Sequence, residues 1–211
     1  MIGLVLAATI GAGSYTYHAS YHGADLGTSK ITVTNTAGAT QIAEQTSGAY
    51  SGASASGNAT LVLNPDLSPS SYRASGTMAG NPIADSATVS GNTARVTNAQ
   101  GASSSFTLTG GASHFVLVDL GTLAGFVALP AQMKAWNSPT VMAVIPSFGQ
   151  SLTLQPEASV PQTRPSGVPA ADVGMSFGGH TPFTMWYNPT TLIPDEIEIP
   201  SQSVVITKLG T

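Results

Sequence analysis

The sequence predicts a mainly β fold of the α+β kind, a curved antiparallel sheet, half-barrel-like, wrapped around one central helical segment. Three observations carry this. Alternation with the period of a strand recurs from residue 14 to the end of the chain. Turn residues punctuate it at short intervals. One long apolar stretch, "HFVLVDLGTLAGFVALPAQMKAW", interrupts it. Of the 211 residues only 8% are charged, six basic and ten acidic, while 42% are hydrophobic. That composition argues against disorder and suits one β-domain of a secreted or surface protein. A formal charge of -4 from so few scattered groups supplies neither a phosphate-binding stripe nor a polybasic membrane patch, so nucleic acid is set aside as a partner. The lack of cysteine removes disulfides and thiolate metal sites without choosing a compartment.

The opening "MIGLVLAATIGAGS" has an apolar run closing on small residues, as a signal peptide does, yet no basic n-region precedes it. Residues 1–13 are therefore either a partial signal peptide or an ordinary first strand or disordered tail. Their apolar run is too short to span a bilayer, and no later segment reads as transmembrane. Residues 14–211 form a single β-rich domain. In "SYTYHASYH" Tyr15, Tyr17, Ala19 and Tyr21 share one strand face and His18 and His22 the other. "GADLG" turns the chain into "TSKITVTNT", a first hairpin. "ATQIAEQT" is a weaker strand, "SGAYSGASASG" a loop or a poor edge strand, and "NATLVLN" a good strand stopped by "PDLSP". "SYRASGTM", "ADSATVS", "TARVTNA" and "SSSFTLT" continue an antiparallel meander, with Gly91-Asn92 as a two-residue hairpin signal. The apolar stretch then places Leu120, Leu123, Ala124, Val127 and Ala128 at helical spacing, predicting a helix from about Asp119 to Trp136, with Pro130 as a kink or a boundary between two short helices. So apolar a helix must lie against the sheet or plug it. Strands resume with "TVMAVIP" and "QSLTLQPEASV", and after a proline-rich loop come "VGMSFGG", "PFTMWYN", "DEIEIP" and "QSVVITKL".

The closing "FTMWYNPTTLIPDEIEIPSQSVVITKL" combines an aromatic strand, an Asn-Pro turn, a Leu-x-Pro step and a final hairpin. A second such turn is "LVLNPDLSPSSY", carried by Asn64, Pro65, Asp66, Leu67, Pro69 and Tyr72. Together these segments, under a third of the chain, resemble bacterial cell-envelope β-proteins with the half-barrel architecture of the lipoprotein-localisation carriers. In those carriers a curved sheet wraps a helix, and its apolar concave face receives acyl chains. Similar domains also precede hydrolase or peptidase domains in longer bacterial proteins. The resemblance implies no catalytic residue, because its motifs are turn chemistry.

Gly174-Met175-Ser176-Phe177-Gly178 fits the Gly-x-Ser-x-Gly pattern of a serine hydrolase's nucleophile elbow, with His180 close behind. An elbow needs a helix after the serine, and "GGHTPFTMWYNP" predicts a strand instead, so Ser176 reads as a strand-end serine. His18 and His22, four apart on a strand, would stand roughly 13 Å from each other, too far to share an ion. His114 reads as a helix-start or loop residue. Asp195, Glu196 and Glu198 are the densest acids; alternation sends Glu196 and Glu198 to one solvated face without the spacing of a calcium loop. The aromatics Tyr15, Tyr17, Tyr21, Phe106, Phe183, Trp186 and Tyr187 either fill the core or line a ligand cleft.

These readings lead to a non-enzymatic secreted or periplasmic domain of the cell envelope that binds an apolar ligand, such as a lipid acyl chain, in the concave face of its sheet. Tyr15, Tyr17, Tyr21, Phe106, Phe126 and Trp186 are the candidate ligand-binding residues. No catalytic residue, metal or cofactor is assigned. The alternatives are an accessory or scaffold domain linked to a larger hydrolase or peptidase, and a serine hydrolase acting through Ser176.

Overall fold

The computed structural model describes residues 8–50, 53–119, 121–137, 140–157, 163–178 and 182–210. The sequence readings of residues 1–7, Leu120 and His180 lie outside these described residues. Alternating segments become long strands: β1 (Gly13–Tyr21), β2 (Ala24–Asn35), β3 (Thr40–Tyr50), β4 (Ala53–Leu63), β5 (Pro69–Met78), β6 (Asn81–Ser90), β7 (Thr93–Thr97) and β8 (Ser103–Thr107). Each pairs antiparallel with the next. Positions of one parity, among them Tyr17, Ile31, Ile42, Leu61, Tyr72, Ala87 and Val96, are buried on the concave face.

The inserted layer comprises β9 (Phe115–Leu117), the helix α1 (Ala124–Trp136), β10 (Val141–Ile145) and β11 (Gln150–Leu154). The meander then resumes with β12 (Val173–Phe177), β13 (Phe183–Tyr187), β14 (Pro194–Ile199) and β15 (Val204–Leu209). Because β15 pairs with β1, the large sheet has the order β12-β13-β14-β15-β1-β2-β3-β4-β5-β6-β7-β8. Its two ends are not paired to one another, so the sheet curls without closing.

The large sheet is the curved antiparallel one the sequence predicts; the small sheet, β11-β10-β9, is separate from it, and in it β9 and β10 run parallel. Parallel neighbours need a crossover connection, and α1 supplies it. Every residue of α1 from Ala124 to Met133 is buried. The helix touches β3, β4 and β14 of the large sheet and β9 of the small one. It plugs the curve, as its apolar sequence requires.

Three element boundaries differ from the sequence reading. The helix starts at Ala124, not Asp119, because Phe115–Leu117 extend along β10 and Val118 continues them by donating its N–H to Val144. It then runs unbroken through Pro130, which is neither its boundary nor a join between two helices. The described residues of "SGAYSGASASG" lie in β3 and β4 rather than in a loop or an edge strand, paired from Thr40 opposite Leu63 to Tyr50 opposite Ala53. The first turn is also shorter than "GADLG": His22 and Gly23 make it, and Ala24 onward is already β2. The chain from Ile10 is fixed before β1 begins, since Ile10 is fully buried and the Gly11 N–H donates to the Thr191 carbonyl at 2.7 Å.

The two Asn-Pro turns hold the C-terminal half of α1. In the first, Asp66 and Leu67 offer their carbonyls to Trp136 Nε1 at 2.8 Å and Gln132 Nε2 at 3.0 Å. In the second, the Pro189 carbonyl accepts from Lys134 Nζ at 3.4 Å. Leu67 and Leu192 both adopt left-handed backbone, φ 64 and 59, a conformation costing about 1–2 kcal/mol that burial of each side chain offsets.

Candidate functional site

A cavity of about 740 Å³ opens between the N-terminal end of α1 and the concave face of β1 to β5, with β15 and the turn before it completing the wall. It exists because the inward positions at this end of the long strands carry small residues. The inward row here runs Ala19, Gly27, Gly48, Ala55 across paired strands. Gly27 and Gly48 are required by backbone proximity: φ at Gly27 is 116, and a methyl on Gly48 would lie 2.8 Å from the Gly27 Cα. Apolar lining comes from Leu26, Met78, Leu123, Phe126, Ile199 and Ile206.

Glu44 forms the inner polar end. The N-cap position of α1 is Leu123, which has no side chain able to cap, so the first N–H groups need a remote acceptor. Glu44 on β3 provides it: Oε2 accepts from Leu123 N at 2.7 Å and Ala124 N at 3.0 Å. Oε1 accepts the Thr46 hydroxyl at 2.9 Å, and Thr46 is 2.8 Å from Ser29. Burial pushes the Glu44 carboxyl above its usual value, against the opposing pull of these donors. On the helix side, Thr122 also lines the cavity and lies 3.0 Å from the Tyr72 hydroxyl, which donates to Asp119 at 3.3 Å. The Ser147 hydroxyl donates to the other Asp119 oxygen.

The six predicted ligand-binding residues are not gathered here. Tyr21, 40% exposed, stands at the rim with its ring against His22, and Phe126 lines the wall while meeting Phe183 edge-on at 5.6 Å. Tyr17 is a core residue whose hydroxyl donates to the Pro194 carbonyl at 2.8 Å. Tyr15 donates to the Gly11 carbonyl at 3.0 Å, and Phe106 lies half-buried on β8 against the core. Trp186 is buried under the Arg164 guanidinium, 5.1 Å from the ring centre, and its Nε1 has no hydrogen-bond partner among the described residues. The wall residues that sequence reasoning missed are small or polar. Their one signal was the small Gly, Ala and Ser residues in the run from Ser47 to Gly57, too small to fill much space beside a strand.

Ser176 lies in β12, 4% exposed, its hydroxyl 2.9 Å from Thr184 on β13, and the next regular element after it is that strand. Among the described residues, no helix follows Ser176 before that strand. His18 pairs with Asp25 at 3.1 Å, while His22 sits in the turn with φ 48, so the two do not converge. No cluster of three metal-ligating side chains occurs among the described residues. His114 is a loop residue just before β9, stacked on Trp136 at 4.2 Å.

The acidic group needs one correction. Glu196 and Glu198 do share a face opposite Ile197, but Glu196 is 6% exposed rather than solvated, and burial followed by Glu198 pushes its carboxyl up to about 6. Asp195 forms an ion pair with Lys208. Beside them Asp172 is buried, and burial, then its interaction with the Asp195 carboxyl, pushes it up to about 7 against the pull of Lys208 and Arg164. The Arg164 guanidinium donates to the Asp172 main-chain carbonyl at 2.8 Å.

No protein-family model matches the chain, and no curated protein does. Among solved structures it is similar to the crystal structure of a β-barrel-like protein of a domain of unknown function, DUF1849, from Brucella abortus. The TM-score is 0.59 at 9% identity, over 96% of this chain and 98% of that one. The likeness extends to the fold, a barrel-like antiparallel sheet. Among the described residues, no helix is long and apolar enough to cross a membrane.

Proposed function

We propose that the protein is a non-enzymatic binding domain of the bacterial cell envelope, secreted or periplasmic, that receives an apolar chain such as a lipid acyl group in the cavity beneath the N-terminal end of α1. The observation that carries this reading is the cavity itself. At about 740 Å³ it falls in the range of small-molecule sites, and its wall exposes more apolar than polar surface, with polar side chains such as Ser29, Glu44, Thr46 and Thr122 set among aliphatic ones. The low charge of the chain and the likeness of its Asn-Pro turns to the lipoprotein-localisation carriers support the compartment and the ligand class. Ser176 adds no catalytic reading, since its hydroxyl is buried against Thr184. Native mass spectrometry after mild extraction tests the proposal: an adduct of lipid mass that delipidation removes and Ala55→Phe abolishes is expected. A bare chain that takes up no amphiphile when one is added overturns it.

A further inference from the structure

The hydroxyl protons along the inner wall of the cavity point away from it, and two chains of hydrogen bonds fix them there. Glu44, 2% exposed, accepts two main-chain N–H groups and the Thr46 hydroxyl, three donors that favour its carboxylate form against the burial that pushes its pKa up. A threonine has one hydroxyl proton, and that of Thr46 is committed to Glu44. The 2.8 Å contact between Ser29 and Thr46 is therefore donated by Ser29, which presents only lone pairs to the cavity. The same logic holds on the helix side. Tyr72 donates its proton to Asp119, so the 3.0 Å contact with Thr122 is donated by Thr122, and Thr122 too offers only lone pairs. The N-terminus of α1 would attract an anion, but the Glu44 carboxylate already occupies its first two N–H groups. Among the described residues, neither lysine nor arginine lines the cavity, and Glu44 is its one carboxylate. The remaining polar side chains, among them His22, Ser201 and Gln202, lie toward the rim, exposed or half-buried.

We infer that the cavity selects an uncharged amphiphile whose polar group donates a hydrogen bond, such as the hydroxyls of a monoacylglycerol, over an anionic one such as a fatty-acid carboxylate. The inference rests on the apolar-ligand reading and adds the chemistry of the head group. An anion entering head-first meets acceptors and a buried negative charge, with no cation to offset its desolvation. A hydroxyl entering the same way donates to Ser29 or Thr122.

Three ligands with one twelve-carbon chain separate the contributions: monolauroyl glycerol, methyl laurate and laurate. Each is titrated into the delipidated full chain at pH 7.5 by competition with a fluorescent acyl probe. The monoacylglycerol is expected to bind at least tenfold more tightly than laurate, with the methyl ester between them. Ser29→Ala and Thr122→Val, made separately, are each expected to reduce the advantage of monoacylglycerol over methyl ester, and one well-folded variant suffices for this reading. Laurate binding as tightly as monolauroyl glycerol overturns the selectivity and leaves the apolar-ligand reading standing. Failure of all three to bind overturns that reading, and this one with it.

Discussion

Gly125→Ala separates intrinsic helix preference from the tertiary constraint on α1. In an exposed helix the change would stabilise the chain by about 1 kcal/mol. Here a methyl at Gly125 would overlap the Leu117 carbonyl oxygen and stand 3.0 Å from the Val118 Cα, both of them backbone atoms of the segment running out of β9. That segment cannot retreat freely, since β9 pairs with β10 and the Val118 N–H bonds to Val144. The helix must move instead, and its start is tied to Glu44 by bonds of 2.7 and 3.0 Å. Overpacking of this kind costs about 1–3 kcal/mol, and weakening a bond to a charged acceptor adds about 1 kcal/mol or more. Less the helix-propensity gain, the net expectation is about 1–3 kcal/mol of destabilisation. For a chain of this length that lowers the unfolding midpoint by roughly 2–12 °C. Differential scanning calorimetry at pH 7.5 reads it directly. An unchanged or higher midpoint would mean that α1 is not held this close to β9, and would refute the reasoning.

Two further expectations concern stability away from the cavity. Asp172 keeps its proton to about pH 7 in the folded chain, whereas its ordinary value is 3.8, so the folded state binds more protons and stability falls as pH rises from about 4 to about 7. Asp172→Asn should flatten that slope and gain on the order of 1–3 kcal/mol relative to the parent chain at pH 8; urea midpoints that differ equally at pH 4 and pH 8 would count against the buried carboxyl. Tyr17→Phe removes the hydroxyl that donates to the Pro194 carbonyl and should cost about 1–2 kcal/mol, seen as a lower urea midpoint with an unchanged slope. A midpoint equal to the parent's would show that this carbonyl finds another donor.

The strands were legible where alternation was strong, as in Tyr15 to Tyr21 or Ile31 to Val33, because a half-buried sheet imposes a period of two. The apolar segment was half legible. Four apolar residues in a row suit a buried strand or a helix equally, and only the distant Met142–Val144 make Phe115–Leu117 a strand. Alternation placed Glu196 and Glu198 on one face but carried no information on whether that face is wet. The cavity left the faintest trace in the sequence, because small residues rather than large aromatic rings make room for it. Rings such as Tyr17 fill space, and the cavity lies where Ala19, Gly27 and Ala55 leave it empty. Glu44 gave no local signal either. Its partners, Leu123 and Ala124, are some eighty residues away in the chain.

The pairing of β1 with β15 joins Thr16 to Leu209 and Tyr21 to Val204, almost the whole chain apart. Strands β1 to β8 can zip from hairpin to hairpin, and β12 to β15 likewise, each through short local closures. The two runs share a single hydrogen-bonded seam, whose formation closes the longest loop in the molecule and so is expected to come late in folding. The cavity straddles that seam, with Ala19 and Ser29 on one side and Ile199, Val204 and Ile206 on the other. A bound molecule would therefore bridge two halves that assemble separately, and its binding energy would act as a latch on the seam, slowing unfolding more than it speeds folding.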